Sequence, residues 1–220
     1  MRRRWKDRQQ AGRWLARRLG GYAGRGDAIV LALPRGGVPL GYVIAQALAL
    51  PLDLLLVRKL GLPGFPEYAV GAVAEDGARL LDTAGLQQFG VPPALIEAEA
   101  ARERQELARR RHRYRGGRSP PQLRGKTVIL VDDGIATGAT MRLAVRVARD
   151  AGAARIVVAV PVAPPQECAV LAADADELVC LRTPSPFYSV GHWYLDFEQV
   201  SDEQVAGLLE RAWKGAEVPE

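Results

Sequence analysis

The amino-acid sequence predicts an α/β fold in which helices cover both faces of a mostly parallel, twisted sheet. Short, continuously apolar segments alternate with helical segments, which is typical of parallel sheets whose strands are buried on both faces. Loops rich in small residues follow several of these strands, and ligands bind such sheets at the carboxyl ends of the strands. The 220 residues are 48% hydrophobic and 25% charged, which excludes a disordered or collagen-like chain.

Each element is predicted from its own local pattern. The strands are short apolar runs at residues 28–33, 52–57, 68–75, 79–82, 127–131, 155–160 and 177–181. Helices are predicted at residues 4–19, where apolar residues recur at helical spacing, at the highly charged segment 93–114, and at residues 38–50, 141–151, 165–173 and 202–213. Asp76-Gly77 indicates a hairpin turn between the third and fourth strands. The segment 61–66, which is rich in Gly and Pro, predicts a loop.

Length, charge and cysteine content limit the class of protein. A chain of this size buries a core without a metal or disulfide, and Cys168 and Cys180 are too few for a disulfide framework. No apolar run reaches ~18 residues and the basic N-terminus lacks an apolar signal core, so we expect a cytoplasmic protein without a membrane span. The net charge of +5 and pI of about 9.5 favour anionic partners, although genome composition or a hot habitat explains the arginine excess equally well.

The segment after the strand 127–131 carries the strongest chemical signal. The strand delivers Asp132 and Asp133 to the edge of the sheet, and a loop of small residues then leads into a helix. Backbone N–H groups in such a loop approach an anion closely, and the helix N-terminus adds partial positive charge. Two threonines add hydroxyl donors, while the two carboxylates accept hydrogen bonds from a diol. A helix cap with a tight turn needs neither the second acid nor both threonines. Phosphate and diol together describe a ribose 5-phosphate.

This segment resembles the phosphoribosyl-pyrophosphate-binding motif of type I phosphoribosyltransferases. The motif consists of four apolar residues, two acidic residues and a small-residue loop that ends in Gly and Thr. Here these are residues 128–131, Asp132-Asp133 and the loop Ala136, Thr137, Gly138, Ala139 and Thr140. The resemblance implies that the loop binds the 5′-phosphate and that the two acids bind the ribose. It covers about residues 28–182, and we expect a single domain over 1–220.

The resemblance also assigns the loop after the first strand to the pyrophosphate. Arg35, Gly36 and Gly37 stand there, and an arginine binds pyrophosphate through two parallel hydrogen bonds. The family often has a cis peptide in this loop, which we expect near Arg35-Gly36. An ordinary strand-to-helix turn with a solvated arginine is the alternative. Family members also place a basic residue after the next strand, where Lys59 stands, although Arg58-Lys59 is equally understood as a surface pair. The loop 61–66 is then a candidate lid.

By resemblance, a nitrogen nucleophile displaces pyrophosphate from C1 of the ribose. Mg²⁺ is the implied cofactor. It would be held mainly by substrate oxygens and water, and Asp132 and Asp133 are the candidate protein ligands. The 6-oxopurine branch of the family has an aspartate where Ala136 stands, so a hypoxanthine or guanine enzyme is disfavoured. No general base is evident, and Glu75, Asp76, Tyr188 and the substrate itself are all candidates.

The family recognises its base through a hood of terminal segments, for which residues 1–20 and 183–220 are the candidates. Phe187, Tyr188 and Trp193 could stack on a base or form a small hydrophobic cluster.

The arm at 93–118 holds eight arginines within residues 102–118. It predicts either a solvated helix with internal ion pairs or an RNA-binding surface. The alternative function is therefore a regulator that senses phosphoribosyl pyrophosphate or a nucleotide and binds nucleic acid or protein. The family often forms dimers, so a homodimer is also expected.

Overall fold

The computed structural model describes residues 4–62, 65–75 and 77–216. Its eight strands within these residues are β1 (Ala28–Ala32), β2 (Leu52–Leu54), β3 (Val57–Leu62), β4 (Phe65–Ala74), β5 (Arg79–Leu81), β6 (Thr127–Val131), β7 (Arg155–Val162) and β8 (Glu177–Arg182). The α-helices are α1 (Arg8–Arg18), α2 (Gly37–Leu48), α3 (Thr83–Gln88), α4 (Pro93–Arg115), α5 (Ala139–Asp150), α6 (Pro165–Asp174) and α7 (Asp202–Ala216).

Five strands form a parallel central sheet in the order β2-β1-β6-β7-β8. All residues of β1 and β6 are buried, as expected for strands with helices on both faces. Alternate residues of each strand enter different cores because side chains along a strand point to opposite faces. Val30 and Ile129 pack with α1, α2 and α7, whereas Leu31 and Leu130 pack with α5 and α6. The predicted α/β fold with a mostly parallel sheet is thus confirmed.

A second, antiparallel sheet of three strands, β3-β4-β5, follows β2. The prediction of one strand over 52–57 is wrong, because β2 ends at Leu54 and β3 begins at Val57 in the other sheet. A continuous apolar run does not reveal where one strand gives way to another. The predicted loop 61–66 is also wrong at both ends, because β3 extends to Leu62 and β4 begins at Phe65. Residues 63, 64 and 76 lie outside the described residues.

The arm α4 packs against β3, β4 and α7 rather than standing in solvent. Its C-terminal Arg115 is buried, and Nε donates to Asp53 Oδ1 at 3.0 Å while Nη1 donates to Glu75 Oε1 at 2.8 Å. Arg115 Nη2 also donates to the Leu54 carbonyl at 2.8 Å. The arm is therefore fixed to β2 and to the end of β4 through one buried guanidinium.

The two terminal segments lie together at the edge of the molecule. The N–H of Trp5 donates to the Trp193 carbonyl at 2.8 Å, and the N–H of Leu195 donates to the Trp5 carbonyl at 2.8 Å. This pairing explains why α1 begins later than predicted, at Arg8, with the Asp7 side chain capping the helix. Among the described residues, every helix is too short or too polar to cross a membrane.

Candidate active site

The candidate site lies where the strand order of the central sheet reverses. From β1 the chain continues to β2 on one side, and β6 returns to pair with β1 on the other side. Ala32 is opposite Val131, and the N–H of Leu33 donates to the Val131 carbonyl at 2.9 Å. The loops that follow β1 and β6 therefore leave the sheet side by side. Ligands bind open α/β sheets in this crevice.

Two glycines allow the loops to touch. A methyl group on Gly37 would lie 2.5 Å from the Val131 carbonyl oxygen and 3.0 Å from Asp132 Cα, while one on Gly36 would overlap the Asp133 carboxylate. The cis peptide of this loop joins Pro34 and Arg35, one bond before the predicted position. The prediction rested on the position of the family's loop alone, which identifies the loop but not the individual bond.

The loop 134–138 is anchored at its start and opens toward solvent in its middle. The N–H of Ile135 donates to the Val162 carbonyl at 2.9 Å, and a methyl group on Gly134 would lie 2.5 Å from Val190 Cγ1. Ala136 and Thr137 are exposed. Gly138 adopts a φ of +70° directly before α5, a conformation that favours glycine. The loop therefore presents small exposed residues at a helix N-terminus.

Two charged side chains that the sequence did not single out flank this loop. A methyl group on Gly138 would overlap the Glu167 carboxylate and would lie 3.9 Å from Arg142 Nε. Burial raises the pKa of Glu167, against the lowering effect of Arg142. Arg142 Nε is buried without a hydrogen-bond partner in the part of the chain that the structure describes. Arg142 lies in α5, four residues after Gly138. Its position about one helical turn beyond the loop is the sequence feature that could have identified it as a neighbour of the site.

Asp132 and Asp133 lie at the end of β6 as a partly buried pair. The N–H of Asp133 donates to Asp132 Oδ1 at 2.8 Å. Burial raises the pKa of Asp132, and the negative charge of Asp133 raises it further. Burial also raises the pKa of Asp133, while the guanidinium of Arg8 opposes that shift. Two adjacent carboxylates of raised pKa, with glycines packed against them, need a cation or a donor-rich ligand to remain ionised.

Arg8, at the start of α1, supplies such a cation. Its Nε donates to Asp133 Oδ2 at 2.8 Å, and its Nη1 donates to the Glu198 carbonyl at 2.7 Å. The guanidinium lies over the Phe197 ring, 3.9 Å from its centroid. The hydroxyl of Tyr194 donates to the Asp133 carbonyl at 2.5 Å, and burial raises the pKa of that phenol. Arg8 and Tyr194 escape sequence-based prediction because no local pattern joins them to Asp133.

Arg35 of the loop after β1 also has a partner from a terminal segment. Its Nη1 lies 3.6 Å from Asp202 Oδ1 at the start of α7. The hydroxyl of Tyr114 donates to the same oxygen at 2.5 Å, and Arg109 Nη2 donates to Asp202 Oδ2 at 3.5 Å. Hydrogen bonding from Tyr114 lowers the pKa of Asp202 despite its partial burial. Asp202 therefore connects the arm, α7 and the candidate pyrophosphate loop.

Comparison with known proteins gives this site its context. A family model described as the phosphoribosyl transferase domain matches residues 5–192. The chain belongs to that family. The match includes both loops, the acid pair and Arg8, so these residues are part of a phosphoribosyl transferase domain.

Proteins similar to this chain occur in Mycobacterium tuberculosis and Thermus thermophilus. Two curated proteins of Mycobacterium tuberculosis, from strains CDC 1551 and H37Rv, carry the provisional name phosphoribosyl transferase and are each 47% identical over 206 residues. That match covers 94% of this chain and 46% of each relative, so the chain spans about half the length of the curated relatives it matches. The crystal structure of TT1426 from Thermus thermophilus is 45% identical, with a TM-score of 0.80 over 94% of this chain and 98% of that chain.

Lys59, the expected basic residue of the phosphoribosyl transferase site, lies outside the parallel sheet. It is exposed on β3 opposite Ala72, while the neighbouring Arg58 pairs with the buried Glu103 of α4. The structure therefore places Lys59 within the antiparallel sheet, not directly after a strand of the central sheet.

The aromatic residues expected in the phosphoribosyl transferase hood differ in exposure. Tyr188 is 76% exposed and Trp193 only 7%, while Phe187 packs partly buried against the core. Phe197, which the sequence did not single out, is 37% exposed and stacks on Tyr194.

Of the candidate general bases, Glu75 is engaged by Arg115 and Asp76 lies outside the described residues.

Proposed function

We propose that the protein transfers the ribose 5-phosphate group of phosphoribosyl pyrophosphate to a nitrogenous base or a related nucleophile. The C1–O bond to pyrophosphate breaks, the leaving group takes the electron pair, and a C1–N bond forms with loss of a proton from the nucleophile. The single observation that supports the proposal is the junction of the loops after β1 and β6. It puts a phosphate-type loop, an acid pair and an arginine at one crevice.

Each loop has a distinct proposed role. The loop of residues 136–140 would bind the 5′-phosphate through backbone N–H groups and the threonine hydroxyls. Arg35 with Gly36 and Gly37 would bind pyrophosphate, and Lys59 would add positive charge on the leaving side once the antiparallel sheet approaches. Asp132 and Asp133 would hold the ribose hydroxyls. Such a transfer would belong to nucleotide metabolism.

Mg²⁺ is the proposed cofactor, and the acid pair fits it. Among the described residues there is no cluster of three or more His, Cys, Asp or Glu side chains that could enclose a metal. Two adjacent carboxylates suit Mg²⁺, which keeps several waters and binds through one or two carboxylates together with substrate phosphates. Asp132 and Asp133 would hold it, and its charge would neutralise the leaving pyrophosphate.

The alternative function is a regulator that binds nucleic acid, and the ion pairs of the arm argue against it. At least five of the eight arginines within residues 102–118 have acidic partners among the described residues, namely Arg102, Arg109, Arg110, Arg113 and Arg115. Arginines that are paired within the protein are less available to phosphates of RNA. A solution test still separates the two functions, because a regulator would bind RNA with strong salt dependence and release no pyrophosphate.

Pyrophosphate release from phosphoribosyl pyrophosphate, measured with Mg²⁺ across a panel of bases, tests the proposal. We expect release with at least one base and a decrease of at least ~10-fold in turnover for Asp133→Asn, which corresponds to about 1.4 kcal/mol in the barrier. The variant keeps the size of the side chain and removes its charge. Unchanged turnover in Asp133→Asn would remove the assigned role, and no release with any base would remove the enzyme assignment.

A further inference from the structure

Arg8 lies in the terminal segment that the family uses to cover the base, yet its guanidinium reaches the ribose side of the proposed site. Nε donates to Asp133 Oδ2 at 2.8 Å, and the exposed fractions of the two side chains are only 12% and 14%. An ion pair this well shielded is not a solvated surface contact, for which contributions are small. The contact therefore requires an explanation within the site.

Three independent contacts fix the direction of the Arg8 guanidinium. The Phe197 ring lies beneath it at 3.9 Å, the Glu198 carbonyl accepts from Nη1 at 2.7 Å, and Asp133 accepts from Nε. An arginine held by stacking and by two hydrogen bonds presents a fixed fork, which a lysine cannot reproduce. Phe197 and Glu198 both precede α7, so the C-terminal segment supplies two of the contacts that orient the Arg8 guanidinium. We call Phe197 and Glu198 together the seat of Arg8.

Other contacts restrain the carboxylate and the backbone of Asp133 as well. It lies against Gly36, where a methyl group would overlap it, and the Tyr194 hydroxyl binds the Asp133 carbonyl at 2.5 Å. With Arg8 on Oδ2, the carboxylate is directed by the terminal segments. In the proposed function this carboxylate holds a ribose hydroxyl, so its orientation would set the position of the ribose.

We propose that Arg8 is a positioning residue that orients the Asp133 carboxylate for the ribose, so that the terminal segments complete the ribose site as well as any base site. This inference rests on the proposed function. Arg8 acts through Asp133, and its contacts with Asp133, Glu198 and Phe197 include no residue of the pyrophosphate loop. Ribose 5-phosphate binding should therefore depend on Arg8, whereas the binding of metal-free pyrophosphate should not.

Calorimetric titration with two probes, ribose 5-phosphate and inorganic pyrophosphate, tests the inference without a known acceptor, and Mg²⁺ is left out so that no metal links Asp133 to the pyrophosphate. For Arg8→Gln we expect the ribose 5-phosphate dissociation constant to rise about tenfold and the pyrophosphate constant to change less than about twofold. Arg8→Lys should recover part of the loss because it keeps the charge but not the fork. Arg13→Gln is the matched control, since Arg13 is an exposed arginine of the same helix.

A double substitution separates positioning from a general structural role. If Arg8 acts through Asp133, adding Arg8→Gln to Asp133→Asn should weaken ribose 5-phosphate binding by no more than about a further twofold. Additive losses would overturn the inference, and so would an equal loss for both probes. Should Arg8→Gln fail to fold, Phe197→Leu tests the same seat. Normal ribose 5-phosphate binding in that folded variant, or in Arg8→Lys, would count against the proposal.

The two proposals fail in different ways. If the wild-type protein ignores ribose 5-phosphate and phosphoribosyl pyrophosphate at millimolar concentration, the proposed function is wrong. If the wild-type protein binds them and Arg8→Gln behaves like Arg13→Gln, only the role of Arg8 is wrong.

Discussion

The carboxyl edge of the central sheet and the antiparallel sheet β3-β4-β5 differ in how far their candidate residues are exposed. At the edge, Asp133 is 14% exposed and pressed against Gly36, and Arg8 fixes its carboxylate. On the antiparallel sheet, Lys59 is exposed, and Phe65 at the start of β4 is 69% exposed. The first region is organised before a ligand arrives, because Gly36 and Arg8 already restrain Asp133. The second presents the side chains of Lys59 and Phe65 to solvent.

The largest expected effect concerns the joint between the two regions. Arg115→Met should lower the free energy of unfolding by about 3–5 kcal/mol, because it leaves Asp53 and Glu75 without their buried cation. Urea unfolding monitored by tryptophan fluorescence measures the change. Arg104→Met, an exposed position of the same helix, is the control and should stay within about 0.5 kcal/mol of the wild type. A loss below about 1 kcal/mol for Arg115→Met would show that other contacts join the regions.

The organised edge should be intolerant of a single methyl group. Gly37→Ala would press its methyl group against backbone atoms of Val131 and Asp132, which cannot rotate away. We expect a loss of about 1–3 kcal/mol in unfolding free energy, typical of overpacking. Gly21→Ala is the matched control, since no atom lies within 4 Å of the added group. Equal stability of the two variants in chemical denaturation would contradict the close approach of the loops.

The antiparallel sheet should tolerate substitution but lose rate. Lys59→Ala removes an exposed side chain, so we expect a melting temperature within about 2 °C of the wild type. Turnover with phosphoribosyl pyrophosphate should fall about tenfold or more if Lys59 approaches the leaving group. A large drop in melting temperature would make Lys59 structural, and unchanged turnover would remove it from the proposed site.

The smallest effect is expected on the arm, where hydrogen bonding from Arg109 lowers the pKa of Glu106 to about 2 from an ordinary value of 4.5. A lowered pKa in the folded state contributes stability above the unfolded value and loses it as pH falls toward the folded value. Glu106→Gln should therefore cost at most about 1 kcal/mol at pH 7. The difference from the wild type should vanish between about pH 4.5 and 2. A difference that persists below this range would contradict this explanation.

Features that follow from contiguous residues could be predicted from the sequence. The strand 127–131, the acid pair and the small-residue loop form one run of the chain, so a local pattern contains the whole signal. The boundary between β2 and β3 could not be predicted, because Leu55 and Leu56 are as apolar as the strands they separate. Burial in a second sheet produces the same composition as burial in the first.

The sequence also could not predict contacts between residues that are far apart in the chain. Arg8 precedes Asp133 by 125 positions, and Tyr22 and Arg155 similarly meet Glu177 only in the folded chain. A basic residue near the N-terminus of an arginine-rich protein carries no distinctive signal. The burial of Trp193 and Tyr194 was equally unpredictable, because these residues lie where residues 5–6 pair with residues 193–196.

The pairing of residues 5–6 with 193–196 has a consequence for synthesis. Translation delivers Arg8 well before Asp133, but Tyr194, Phe197 and Glu198 arrive only after the last strand of the central sheet has been made. Since ribosomes add roughly 5–20 residues per second, the emerging chain spends seconds with its acidic pair formed and the seat for Arg8 still missing. A nascent polypeptide halted near residue 190 would thus contain the acid pair and both loops, yet it would lack the residues that hold Arg8 against Asp133.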